Sequence, residues 1–261
     1  MSTTENPSNP VDPNTALLIY GIVPADAEPE VDGIGREPTP VHTVKHGQIA
    51  ALVSEVPADQ PLDRAEDLQA FSRVVDSLVG EMPVIPVRFG AALAGPDEVE
   101  RELLEPNADR FRQALDELSG LAEYLVKGQY VEDVVLREIL TENRQAAELR
   151  ETIRTAPPEL SRDARISLGE TINAALEYKR QVDGQVMIEA LQAFTEHLAI
   201  RPPTHEEEVA DIAVLVPVAK QDELMRMIND LAEQWRGRVD MRVVGPLAAW
   251  DFVAAEGPDA S

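Results

Sequence analysis

The sequence predicts an α+β protein of two domains. A mixed α+β domain is expected over residues 15–127. A C-terminal domain over residues 128–256 is expected to join a long helical pair to a ferredoxin-like α+β unit. Three observations carry this. Short β-branched, apolar runs at residues 16–23 and 84–89 are separated by stretches of helical periodicity. From residue 130 to residue 198 the pattern is helical almost throughout, broken by Pro157-Pro158. From residue 209 it returns to strand, helix, strand and strand.

Residues 1–14 are polar, hold Pro7, Pro10 and Pro13, and read as a disordered tail, as do residues 257–261. Residues 16–23 are apolar on both faces, which suits a central strand. Residues 24–40, rich in Pro, Gly, Asp and Glu, read as a surface loop. Residues 41–46 and 48–56 form a hairpin that turns near His46-Gly47. Residues 63–80 are helical, with Leu68, Phe71, Val75, Leu78 and Met82 on the buried face. The strand that follows is interrupted by Pro83 and Pro86, neither of which donates to a ladder, so an unpaired edge is expected there. A helix begins at Pro96, capped by Asp97, and is expected to stop or kink at Pro106 before resuming through Phe111, Leu115 and Leu118 to Gly120. Residues 121–127 form a strand with Ala122, Tyr124 and Val126 on one face.

The helical pair over residues 130–198 carries Val135, Ile139 and Leu149 on its first member. The second carries Ile172, Leu176, Met187, Leu191, Phe194 and Leu198. A β-α-β-β series over residues 209–254 closes the domain: a strand at 209–218, an amphipathic helix at 222–235, and strands at 239–244 and 249–254.

The 261 residues include 23 basic and 48 acidic ones, a net charge of −25. Such a chain repels phosphates and anionic lipid, so neither nucleic acid nor a membrane surface is an expected partner. It has no cysteine, which excludes thiolate nucleophiles and thiolate metal sites. His42 and His46 lie four apart on a strand, and two ligands make a poor zinc site. No phosphate-cradling, nucleophile-elbow or zincin motif is present. No catalytic, cofactor-binding or metal-binding residue and no cofactor is therefore expected. No signal peptide is expected either, which fits a cytoplasmic protein.

Arg88 stands at the end of an apolar strand, where a charge is costly unless paired. A structural ion pair is expected, with Glu123 the preferred carboxylate and Glu81 the other candidate. An apolar patch on the helical pair, or the edge near Pro83 and Pro86, is the expected place for a protein partner.

The run Val84-Ile85-Pro86-Val87-Arg88-Phe89-Gly90 resembles the signature of the GvpL/GvpF family of gas vesicle proteins. Further likenesses fall in the family's order at residues 17–23, 49–54 and 120–127 and at Gly245-Pro246 with Phe252-Val253, so the resemblance spans residues 16–254. Ala91 stands where the family usually has Thr. The closing motif, usually Gly-Pro-x-Pro-Pro-Tyr-x-Phe, here continues Leu247-Ala248-Ala249-Trp250. The resemblance implies an accessory protein of the gas vesicle, located on the vesicle or in the cytoplasm. It implies contacts with the shell protein and with other gas vesicle accessory proteins. The alternative from another class is a cytosolic regulatory protein whose ferredoxin-like domain binds a small ligand.

Overall fold

The computed structural model describes residues 15–35, 38–58, 62–157, 161–195 and 197–252. The tails expected at residues 1–14 and 257–261 lie outside these. The described chain is mixed α+β, with two sheets. It divides into two compact units: residues 15–123 with 246–252, and Tyr124–Gly245.

In the first unit, strand β1 (Thr15–Pro24) is central, as its apolar character on both faces requires. It pairs antiparallel with β3 (Ile49–Pro57), which in turn pairs with β2 (His42–His46) across a turn where Gly47 takes φ 58°. On its other side β1 receives two short pieces in succession, β4 (Ile85–Pro86) and β5 (Ala92–Leu93). The strand expected through Phe89 is therefore broken. Pro83 and Pro86 supply no N–H, so after Val87 donates to the Tyr20 carbonyl (3.1 Å) the chain turns at Gly90, φ 89°. The register of β1 shifts between Ile19 and Gly21, and a Cβ on Gly21 would lie 2.7 Å from the Ile85 carbonyl oxygen. Only glycine admits so close a partner strand.

Helix α1 (Ala65–Asp76) buries Phe71, Val74 and Val75 against this sheet, and Leu78 follows them into the core. Leu68, expected on the same face, is 48% exposed. Its turn is instead anchored by the buried Asp67, which accepts from the Arg64 guanidinium at 2.8 and 3.1 Å. The next helix starts at Gly95 rather than at an Asp97 cap, with Pro96 in the first turn of α2 (Pro96–Glu98). It does not stop at Pro106. A π-helical turn over Val99–Leu104 leads into α3 (Glu105–Leu118), so Glu105 donates five residues back to Glu100. Pro106 cannot donate at all, and the Asn107 side chain takes the Leu103 carbonyl at 2.9 Å.

The second unit contains the four-stranded sheet. Strand β6 (Leu121–Tyr130) is longer than expected and stands at the centre of this sheet, not in the N-terminal one. After it come α4 (Glu132–Glu142), α5 (Arg144–Thr155) and the 31-residue α6 (Arg162–Gln192). Then follow β7 (Leu198–Arg201), β8 (Glu208–Pro217), α7 (Gln221–Gln234) and β9 (Val239–Leu247). The strand order is β7-β8-β6-β9. Counted within the unit this is 2-3-1-4, the β-α-β-β-α-β plan of a ferredoxin-like domain, with three helices in the first crossover.

Two further expectations are corrected here. The first member of the helical pair is two helices, parted at Asn143, whose side chain caps α5 by accepting the Ala146 N–H at 3.1 Å. Leu149 is half-buried on α5. The strand expected from residue 249 is absent from the described residues: after β9 the chain makes turns over residues 250–252, with Ala248 and Ala249 buried. Helix α6 meets the sheet closely at Gly128, where a Cβ would lie 3.0 Å from Met187 Sδ.

Candidate functional site

Arg88 does not form the expected ion pair. It is exposed, in the turn after the buried run from Val84 to Val87, and pairs with no carboxylate of the described residues. Arg88 opens the turn that Gly90 completes, with the Ala91 N–H donating to the Arg88 carbonyl at 3.3 Å, so its side chain is exposed and needs no partner. Glu123 is 1% exposed, and its Oε2 accepts the backbone N–H of Asp251 at 2.9 Å. Val84 and Pro86 lie in the interior, and Phe89 rests edge-on against Phe71, 5.2 Å between ring centres. The unpaired edge expected near Pro83 and Pro86 offers little to an added strand, because Val84 to Val87 are all buried.

Phe71 gathers Tyr20, Phe89 and Trp250 around it. This is where the closing segment after Gly245-Pro246 returns to the first unit. Asp76 Oδ1 accepts both the Ala248 N–H and the Trp250 indole N–H, each at 2.9 Å. Burial pushes the Asp76 carboxyl above the ordinary range, and the two hydrogen bonds oppose it. Sequence reading passed over Asp76, although a carboxylate at the C-terminal end of a helix is unfavourable without a special partner.

His46 Nδ1 lies 2.9 Å from Glu100 Oε1, and His42 is exposed. Among the described residues no group of three or more His, Cys, Asp or Glu is arranged to hold a metal. No helix of the described residues is long and apolar enough to cross a membrane.

In the second unit a polar network fastens α6. Tyr130 donates to Asp183 Oδ2 at 2.6 Å, and the Arg238 guanidinium donates to the same oxygen at 2.6 Å. Arg238 also reaches both Glu138 oxygens at 3.0 Å and lies over the Tyr130 ring, 5.4 Å from its centre. Burial and the Asp183 carboxylate push the Tyr130 hydroxyl far up, so it stays protonated and donates. Lys179 completes the network, 3.2 Å from Glu138 and 2.7 Å from Glu142. Burial works to lower the Lys179 ammonium, and its two carboxylates overcome that and raise it.

Beside this network a groove of about 590 Å³ runs between the α4–α5 junction and α6. Its apolar wall is Ile139, Ala174, Ala175 and Tyr178; Glu142 and Glu170 add carboxylates. Tyr178 is 68% exposed, and Val182 and Val186 continue at four-residue steps, also exposed. The sequence marked these helices as a partner surface but not this face of α6, because the periodicity there reads as core.

The comparisons with known proteins agree with this architecture. A sequence model of the family described as gas vesicle synthesis protein GvpL/GvpF matches residues 16–254. Gas vesicle protein F of Streptomyces sp. (strain CB03234) is 31% identical over 242 residues, which cover 91% of this chain and 99% of that protein. Gas vesicle protein F of Dolichospermum flosaquae is 21% identical over 238 residues, covering 90% and 96%. The crystal structure of GvpF from Anabaena sp. PCC7120 superposes with a TM-score of 0.78 at 20% identity, covering 92% of this chain and 99% of that one. That of GvpF from Microcystis aeruginosa gives 0.72 at 21% identity, covering 91% and 98%. With a match that runs from β1 to the returning C-terminal segment, the chain belongs to the GvpL/GvpF family of gas vesicle synthesis proteins.

Proposed function

We propose that this chain is an accessory protein required to assemble or organise the gas vesicle shell, acting by protein–protein contact with the shell protein and with other accessory proteins. The family match over residues 16–254 carries this reading. The nearly full-length likeness to relatives named gas vesicle protein F supports an F-type role. The surface supports contact as the mode of action. Tyr178, Val182 and Val186 present an apolar row on a chain whose net charge is −25, and such rows on charged proteins are docking surfaces. The protein works by binding, without turnover chemistry, on the vesicle or in the cytoplasm. His46 and the buried carboxylates Glu123, Asp183 and Asp211 serve ion pairs and hydrogen bonds that hold elements together.

Deletion of the gene is expected to abolish or deform vesicles, and the chain is expected to be captured with the shell protein. Electron microscopy of the deletion strain and detection of the chain on washed vesicles provide the test. A normal vesicle yield, with no paralogue compensating, would overturn the assembly role.

A further inference from the structure

We propose that the groove between the α4–α5 junction and α6, continued by Tyr178, Val182 and Val186, seats one cationic amphipathic helix of about four turns from a partner protein. This rests on the docking role proposed above and names the partner's chemistry.

The length comes first. From Glu170 to Val186 the groove and its continuation follow 17 residues of α6, or 16 steps (186 − 170). At a rise of about 1.5 Å per residue this is roughly 24 Å, the span of a helix of about four turns. Ala174 and Ala175 are small enough for a second backbone to approach closely, at the roughly 8–10 Å separation of packed helices. Tyr178, Val182 and Val186 stand at four-residue steps, the spacing at which a helix meets the apolar side chains of another helix.

Charge decides which helix. Glu142 and Glu170 are the carboxylates of the groove, and Lys179 is its one lining cation among the described residues. The Lys179 ammonium is already held by Glu138 and Glu142, and its side chain is 15% exposed. Glu170 makes no ion pair among the described residues. The groove is thus left with excess negative charge on a chain of net charge −25. An acidic helix is repelled there, and one with Lys or Arg flanking its apolar face is drawn in. A second copy of this chain is disfavoured for the same reason: it brings the same net charge of −25, with Glu170 and Glu189 beside its matching row.

The test uses the full chain and two labelled synthetic helices of about 18 residues. Both carry the same Leu and Ile face; one has Lys on its flanks, the other Glu. Fluorescence anisotropy is expected to show saturable one-site binding of the Lys peptide. Binding should weaken as salt rises from about 50 to about 300 mM. Ala174→Arg, which fills the groove with a bulky cation, and Tyr178→Asp are each expected to weaken it by roughly tenfold or more. Both positions are exposed, and circular dichroism checks that the variants remain folded. Equal binding of the Glu peptide, or undiminished binding to folded Ala174→Arg, overturns the proposal. So does absence of Lys-peptide binding. If that absence accompanies a chain still retained on washed vesicles, the groove assignment fails and the accessory role stands.

Discussion

Asp76 sits in the last turn of α1, where the helix presents its negative pole, and its carboxylate is half-withdrawn from water. Two N–H donors from the returning segment keep it there. Burial raises its folded pKa above the unfolded value, so the folded state holds the proton more tightly between the two. The sign follows: protonation of Asp76 favours folding, and this contribution is lost as pH rises through the folded pKa. Asp76→Asn keeps an acceptor oxygen and removes the titration. The variant is expected to gain on the native chain as pH rises from the acid range to neutrality. Urea denaturation of both proteins at several pH values gives the difference, in which other titrating groups cancel; a difference independent of pH contradicts the argument. Arg88 teaches the opposite lesson. Its neighbours Val84 to Val87 are as buried as their sequence implies, but burial ends one residue sooner than the apolar run suggests. An exposed arginine without a carboxylate partner contributes little, so Arg88→Ala should change stability by no more than about 0.5 kcal/mol. A folded Arg88→Ala chain that fails to support vesicles assigns the residue to a partner contact. A chain that aggregates refutes this placement.

Helix α6 shows how an element is held when its apolar face is short. Over 31 residues only Asp183, Gly184, Met187 and Leu191 are buried, all near its C-terminal end. The Tyr130–Asp183–Arg238–Glu138 network supplies the rest of the grip there, and its members come from β6, α6, α4 and the turn before β9. Asp183→Ala would leave the Tyr130 hydroxyl and one arm of Arg238 without their acceptor. The Arg238 guanidinium keeps Glu138, so the loss is that of the orphaned donors, about 1–3 kcal/mol for each group left unsatisfied. Denaturation should show it, with Tyr130→Phe costing less because the ion pair survives. Equal stability of Asp183→Ala and the native chain removes the network from the account of α6. Helix type was legible in the sequence, since Phe111, Leu115 and Leu118 are all buried as read; extent was less so, because Leu198, expected on the second long helix, lies in β7 and α6 ends at Gln192. The break at Asn143 was not, because apolar spacing continues across it while a single side-chain cap separates α4 from α5. The groove was hidden for a related reason: a row of Tyr and Val at helical spacing looks the same whether it faces a core or a partner.

At the scale of the whole molecule, the chain builds most of one unit, then all of the other, and returns to the first for its last described residues. The return, and the sheet that β6 joins, were not readable. Strand β6 follows directly on the helix of the first unit, yet its partners β8 and β9 come long after it, and local periodicity records no such pairing. The return depends on a handful of contacts: Ala248 in the core, Trp250 against Phe71, and backbone N–H groups on Asp76 and Glu123. These make the first unit dependent on residues synthesised after the second. A chain ended at Gly245 is therefore expected to destabilise the first unit selectively. Removing Ala248 uncovers its apolar neighbours, and removing the segment opens Asp76 to water and ends two hydrogen bonds, each worth about 0.5–1.5 kcal/mol. Limited proteolysis separates the cases. Cleavage of the truncated chain should quicken within residues 15–123, while a fragment covering the second unit persists as it does in the full chain. Fluorescence adds an independent reading, because Trp250 is lost and Trp235 on the second unit remains to report its unfolding. If both units are cleaved at unchanged rates, the returning segment contributes nothing to the first unit's stability, and its hydrogen bonds to Asp76 and Glu123 are incidental to the fold.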